Sequence, residues 1–260
     1  AFHQAELAIR FGNARVEDLP VEITLEKMAP RHAGFGSGTQ LALAVGLALT
    51  EALKLPPPGA EELAVAVDRG KRSAIGSHGF FRGGFLVDRG KSAEHSLAPL
   101  ELQIPFPDDW RVVTVLRNDA KNMFGYLENQ AFDDLPPSTQ GHRQAMIDMI
   151  KQDVAPALMA KSFDLFSHSL FEFGRRSGLM YEAVQGSAYN GQTIQETVNT
   201  IREFGVPGAG QSSWGPCVYA ITRSSRQADD LAKYLCDRLG DTAAVEIHAG
   251  DNHGATIESL

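Results

Sequence analysis

The sequence predicts a two-domain α+β protein, and three observations carry that prediction. Strand-like and helical stretches alternate without a regular βαβ beat. A glycine-rich loop at residues 30–38 opens directly into a long Ala- and Leu-rich helix. Two prolines and two aspartates at residues 105–109 separate two strand-like runs, which places a domain boundary near residue 107. The domains expected are therefore residues 1–107 and 108–260, and 260 residues are enough for two real cores.

The elements follow in order. Residues 5–11 have apolar side chains near helical spacing and stop at Gly12, and VEITL at 21–25 alternates as a strand. Residues 39–53 form the helix after the loop. Three consecutive prolines at 56–58 break the chain before a second helix at 61–68. The stretch 79–88, GFFRGGFLVD, reads as a strand bent at Gly83 and Gly84. Residues 110–116, WRVVTVL, read as a central strand. Helical patterns fill 140–173 and 193–204; a strand at 217–222, an amphipathic helix at 224–239 and a strand at 243–248 complete the chain.

Composition removes several function classes. The net charge of −8 leaves no basic excess with which to neutralise a nucleic-acid backbone. Cys217 and Cys236 form neither a disulfide framework nor a metal-ligand spacing, so a reducing cytoplasm is expected. The longest apolar run, residues 41–49, falls short of the ~18–20 residues of a membrane span. It is interrupted by Gly46 and reads as a buried helix. The opening AFHQAELAIRFG lacks the basic start and apolar core of a signal peptide, and its first residue, Ala1, reads as a cut.

The chemistry concentrates at Pro30-Arg31-His32-Ala33-Gly34-Phe35-Gly36-Ser37-Gly38-Thr39-Gln40. Three glycines in five residues let backbone N–H groups turn inward, and the positive end of the following helix adds to the field, which makes an anion site. Ser37 or Thr39 is placed to cap that helix. The loop is not a Walker loop, because the G-x-x-x-x-G-K-[ST] pattern is absent. The competing reading is a tight turn with an ordinary serine cap.

PRHAGFGSGTQLALAVGLAL resembles the phosphate-binding motif of the galactokinase–homoserine kinase–mevalonate kinase–phosphomevalonate kinase (GHMP) superfamily. Residues 70–88 (GKRSAIGSHGFFRGGFLVD), 208–221 (GAGQSSWGPCVYAI), Val184-Gln185-Gly186 and Asn252-His253-Gly254-Ala255 resemble its β-ribofuranosylaminobenzene 5′-phosphate synthase branch. The resemblance implies a GHMP-type fold with a ferredoxin-like C-terminal domain. It implies, too, that the first strands of the N-terminal domain are missing before Ala1. The implied activity condenses phosphoribosyl pyrophosphate with 4-hydroxybenzoate or 4-aminobenzoate, releasing CO2 and pyrophosphate, for methanopterin-type cofactors. A cytoplasmic enzyme is implied, with Mg2+ on the pyrophosphate and a homodimer as the common assembly; its metal ligands are unknown.

By that resemblance Gly34, Gly36, Ser37, Gly38 and Thr39 hold substrate phosphate. Gly208, Gly210, Gln211, Ser212 and Ser213 form a second loop that helps enclose it, or else a loop merely packed at the domain junction. Lys71 and Arg72 stand in the cationic run Arg69-Gly70-Lys71-Arg72 and are the catalytic candidates, set against a solvated helix end. Kinases of the superfamily carry S-G-[LI]-D where this chain has Ser73-Ala74-Ile75-Gly76. Glycine cannot accept a proton, which argues against phosphoryl transfer; Asp68 and Asp88 are the nearby substitutes. Trp214 reads as core. His32 and His78 read as local hydrogen-bonding residues, and the cluster His248, Asp251, His253 as a polar loop. The alternatives are an ATP-dependent small-molecule kinase and a non-catalytic sensor of a phosphorylated ligand.

Overall fold

The computed structural model describes residues 21–92, 94–120 and 140–258; the helix expected at 5–11 lies outside them. The chain divides into two compact units. The first draws on Ala1–Arg31, Gly36–Pro105 and Asp251–Leu260, the second on His32–Phe35 and Phe106–Gly250.

In the first unit, α1 (Ser37–Ala52) packs on α2 (Ala60–Ala66) and α3 (Ile75–Arg82). Gly46 makes the α1–α2 contact close. A Cβ added there would stand 2.9 Å from Leu63 Cδ1 and 3.0 Å from Val67 Cγ1. Leu43, Leu63, Ala64, Val67, Ala74, Phe80 and Leu97 form the core of this unit. Strands β1 (Phe85–Asp88) and β2 (Leu100–Ile104) pair antiparallel, and their register shifts between Val87 and Asp88.

Two expectations fail here. Residues 21–25 have no regular secondary structure: Ile23 and Leu25 are exposed, and alternation alone makes no strand without a partner ladder. Residues 79–82 are helical, the last turn of α3, because Gly83 (φ 67°) and Gly84 (φ 82°) reverse the chain only after Arg82. Residues 251–255 fill the bend that this leaves. The Gly84 N–H donates to Asp251 O (2.6 Å), and the Ala255 N–H donates to Phe80 O (2.7 Å). A side chain on Gly83 would collide with the backbone of Asn252 and His253.

The second unit is a four-stranded antiparallel sheet. Its strands are β3 (Arg111–Arg117), β4 (Ala209–Gln211), β5 (Cys217–Thr222) and β6 (Ala243–Ala249), in the order β4-β5-β3-β6. Helices lie between β3 and β4, and one helix lies between β5 and β6. This is the split βαβ pattern of a ferredoxin-like domain. The helical stretch runs through α4 (Gln140–Met149), a π turn (Ile150–Val154), α5 (Ala155–Met159) and α6 (Phe163–Leu179). Pro156, at the start of α5, has no N–H to give the preceding turn, which accounts for the widening there. Two further helices are α7 (Glu182–Gln185) and α8 (Gln192–Glu203). The last, α9 (Ser225–Leu239), is capped by Ser224, whose Oγ accepts from Gln227 N. Val113, Val115, Ile194, Val198, Ile201, Val218, Leu231 and Leu235 make the core. Among the described residues no helix is long and apolar enough to cross a membrane.

Candidate functional site

Helix α1 begins at Ser37, and its N-cap is Gly36 in the left-handed region (φ 66°), with no side chain bonded to the cap position. The serine expected to cap does something else. Ser37 is buried, and its Oγ donates backwards to Pro30 O at 3.0 Å, tying the start of the loop to its end. Thr39 does not cap either; its N–H and that of Gln40 both donate to Gly36 O (2.9 and 3.0 Å). The first N–H groups of a helix have no partner within it and point along the axis towards an anion. A Cβ added to Gly36 or Gly38 would stand in open space, so this turn leaves room for a ligand.

Gly76 lies against that same turn. A Cβ added to it would come 3.3 Å from Thr39 Cγ2 and 3.8 Å from Gln40 Nε2, and Gln40 Nε2 donates to Gly76 O at 2.9 Å. The position where the kinase motif would place an acid is thus a glycine, bordered by the Thr39 methyl and the Gln40 side-chain amide. Neither substitute acid is at liberty. Asp68 is ion-paired to Lys71. Asp88 accepts from Ala74 N (2.9 Å), Ser73 Oγ (3.3 Å) and Gly90 N (2.9 Å). Lys71 is 71% exposed, and Arg72 is exposed beside it, in a turn that leads into α3. His78 bonds Ala98 O through Nε2 at 2.8 Å and is a structural residue.

In the second unit Gly34 meets the other small-residue loop. Ser212 Oγ donates to Gly34 O at 2.8 Å. A Cβ on Gly215 would lie 2.5 Å from Gly34 N and 2.6 Å from Ala33 C. Within this unit Ala33 and Gly34 therefore touch the second loop, backbone against backbone. The polar atoms of the second loop are largely engaged in holding itself. Gln211 Oε1 accepts from Asn190 N (2.7 Å) and Gln211 Nε2 donates to Ser213 O (2.7 Å), while Asn190 Nδ2 donates to Trp214 O (3.1 Å). Gly208 and Gly210 permit close packing: a Cβ would stand 2.5 Å from Ser167 Oγ and 2.7 Å from Tyr219 Oη, respectively. Burial pushes the Tyr219 hydroxyl well above its ordinary value. Trp214 is buried edge-on against Tyr181, as a core residue.

Asn190 was not read from the sequence as part of this arrangement, Gln40 was read only as the end of the loop, and Asp88 only as a substitute acid. Each bonds a backbone atom 14 to 36 residues away, a pairing that nothing in the local pattern marks. Among the described residues no group of three or more His, Cys, Asp or Glu side chains is arranged around a metal. With Asp68 and Asp88 both engaged, the described residues do not form a Mg2+ ligand set of their own.

The glycine-rich turn ahead of α1 and the split βαβ unit define a class, and comparison with known proteins gives the same one. The sequence profile described as GHMP kinases N terminal domain matches residues 4–81, and that described as GHMP kinases C terminal matches residues 154–241. Solved structures with the same fold include mevalonate kinase from L. major (TM-score 0.64, 16% identity, 86% of this chain and 68% of that one). Another is homoserine kinase from Cytophaga hutchinsonii (TM-score 0.59, 14% identity, 87% and 68%). Closer in sequence are two proteins named beta-ribofuranosylphenol 5'-phosphate synthase. The one from Archaeoglobus fulgidus is 31% identical over 241 residues, covering 87% of this chain and 73% of the relative. The one from Methanothermobacter thermautotrophicus is 27% identical over 252 residues, covering 92% and 74%. The chain belongs to the GHMP superfamily and, within it, to the family of these synthases.

Proposed function

We propose that this chain is a phosphoribosyl-transferring synthase that condenses phosphoribosyl pyrophosphate with 4-hydroxybenzoate, releasing CO2 and pyrophosphate, in methanopterin-type cofactor synthesis. The relatives' name favours the hydroxybenzoate over the aminobenzoate, since loss of CO2 from 4-hydroxybenzoate leaves a phenol. The carrying observation is Gly76, packed against Thr39 and Gln40 in place of an acid.

Stoichiometry explains why an acid can be absent there. Two groups leave and one bond forms, between the anomeric carbon and the ring carbon that held the carboxylate. The electron pair for that bond comes from the C–CO2 bond, so no proton need be taken from the acceptor at that carbon. A kinase, by contrast, must deal with the proton of an acceptor hydroxyl. What the synthase does need is stabilisation of departing pyrophosphate beside an oxocarbenium-like ribose. The N–H groups of Ser37 and Gly38 at the head of α1, in the loop that runs from Gly34 through Gly36 to Thr39, are suited to hold phosphate. Lys71 and Arg72 are suited to neutralise the charge that develops. The loop of Gly208, Gly210, Gln211, Ser212 and Ser213 supports Gly34 through Ser212. Mg2+ would travel on pyrophosphate oxygens and neutralise charge there.

The test is incubation with phosphoribosyl pyrophosphate, Mg2+ and carboxyl-labelled 4-hydroxybenzoate, in parallel with ATP and sugars, mevalonate or homoserine. Release of labelled CO2 with no ADP formation above background is expected. ADP-forming turnover would establish the kinase instead, and tight phosphate binding without either turnover the sensor.

A further inference from the structure

We propose that Asp88 is a positioning residue for the cationic turn at Lys71 and Arg72, a role that rests on the phosphate-binding reading above. Asp88 ends β1 where the strand register shifts, and a shift of this kind re-aims a side chain out of the regular pleat. Its carboxylate is aimed across the unit at the start of α3. One oxygen, Oδ2, takes the Ala74 N–H and the Ser73 hydroxyl; the other, Oδ1, takes the Gly90 N–H. The segment it catches begins one residue after Arg72.

The rest of that segment is pinned as well. Gly70 has φ 79° and lies beneath Leu97, where a side chain would collide. The Asp68 carboxylate holds Lys71, and Arg69 Nη1 donates to Asp68 O at 3.0 Å. Beyond Asp88's reach, the Gln40 amide fixes Gly76 to the first turn of α1. Asp88 thus holds the start of residues 73–76 and Gln40 their end, and the two cations immediately precede that held segment. A carboxylate with three donors is occupied as an acceptor. It orients the turn and makes no proton transfer, which separates it from a kinase acid.

The experiment is a double-mutant cycle with inorganic pyrophosphate as the probe, measured by calorimetry in the presence of Mg2+. The variants are Asp88→Asn, the pair Lys71→Ala with Arg72→Ala, and all three together. Asp88→Asn keeps the shape but turns one acceptor oxygen into a donor that faces a backbone N–H. Asp88→Asn alone and the cation pair alone should each weaken binding by roughly tenfold or more. The triple variant should be no weaker than the cation pair, because coupled groups are not additive. In the ligand-free protein, hydrogen exchange in Asp88→Asn should quicken at residues 71–76 and stay unchanged in the sheet of the second unit. Multiplicative losses in the triple variant, or unchanged exchange at 71–76, would overturn the assignment. If the unsubstituted protein does not bind pyrophosphate, the phosphate reading fails, while the exchange result still decides whether Asp88 holds the turn.

Discussion

Ser37 shows how one residue can be conspicuous in sequence for the wrong reason. Next to glycines and ahead of an apolar helix it has the signature of an N-cap, a position where aspartate does equally well. Its hydroxyl instead donates to Pro30 O from a buried position. Ser37→Asp would remove that donor and bury a carboxylate against a carbonyl oxygen. The expected outcome is a loss of about 2 kcal/mol or more, seen as a lower melting temperature, together with lost pyrophosphate binding. An unchanged melting temperature would return Ser37 to the capping role. Glu172 gives a second test at this scale. Its hydrogen bond to Arg175, helped by Arg176, holds its carboxyl down at about 2 against an ordinary 4.5. A carboxylate with a depressed folded-state pKa contributes stability above pH 4.5, and that contribution fades as pH falls from 4.5 through about 2. These side chains are partly exposed, so the contribution is about 1 kcal/mol at most. Glu172→Gln should flatten that part of the stability profile in acid denaturation.

At the scale of elements, glycines mark where pieces approach too closely for a side chain. Gly178, in the last turn of α6, faces the backbone carbonyl of Ala188, and a Cβ there would overlap it. Gly178→Ala should cost roughly 2–3 kcal/mol by displacing the chain between α7 and α8, readable in denaturant unfolding. Nothing in the local pattern of FEFGRRSGLM distinguishes that glycine from Gly174, which merely lies near Tyr219. The same limit governs what could be read beforehand. The strand at 217–222 and the helix at 225–239 were legible because period and capping are local: VYAI between polar ends, and Ser224 before an amphipathic run. The glycine-rich turn ahead of α1 was legible because three glycines before an apolar helix form a local pattern. By contrast, residues 79–82, with two aromatics ahead of a true strand, read as its beginning and are helical, because the two glycines that follow set where the turn falls. Asp88 was legible only as a carboxylate near the site; that it already has three donors is a property of the fold.

For the whole molecule, neither unit is one continuous piece of chain. Residues 32–35 belong with the second unit, where Gly34 receives Ser212, and residues 251–258 belong with the first, where they fill the bend at Gly83 and Gly84. A protein truncated after Gly250 should therefore keep its four-stranded sheet, whose strands end at Ala249. It should lose protection from hydrogen exchange at Gly84, whose N–H donates to Asp251 O, and fray in the last turn of α3, where Phe80 O accepts from Ala255 N. Equal protection in truncated and full chains would show that these residues only decorate the bend. The threading also sets an order of events on the ribosome. Every strand of the second unit has been translated before the segment that completes the first unit has emerged. The unit that starts nearer the N-terminus is thus sealed after the strands of the other have been made, and the Gly83–Gly84 bend, with the helix leading into it, waits for residues 251–255.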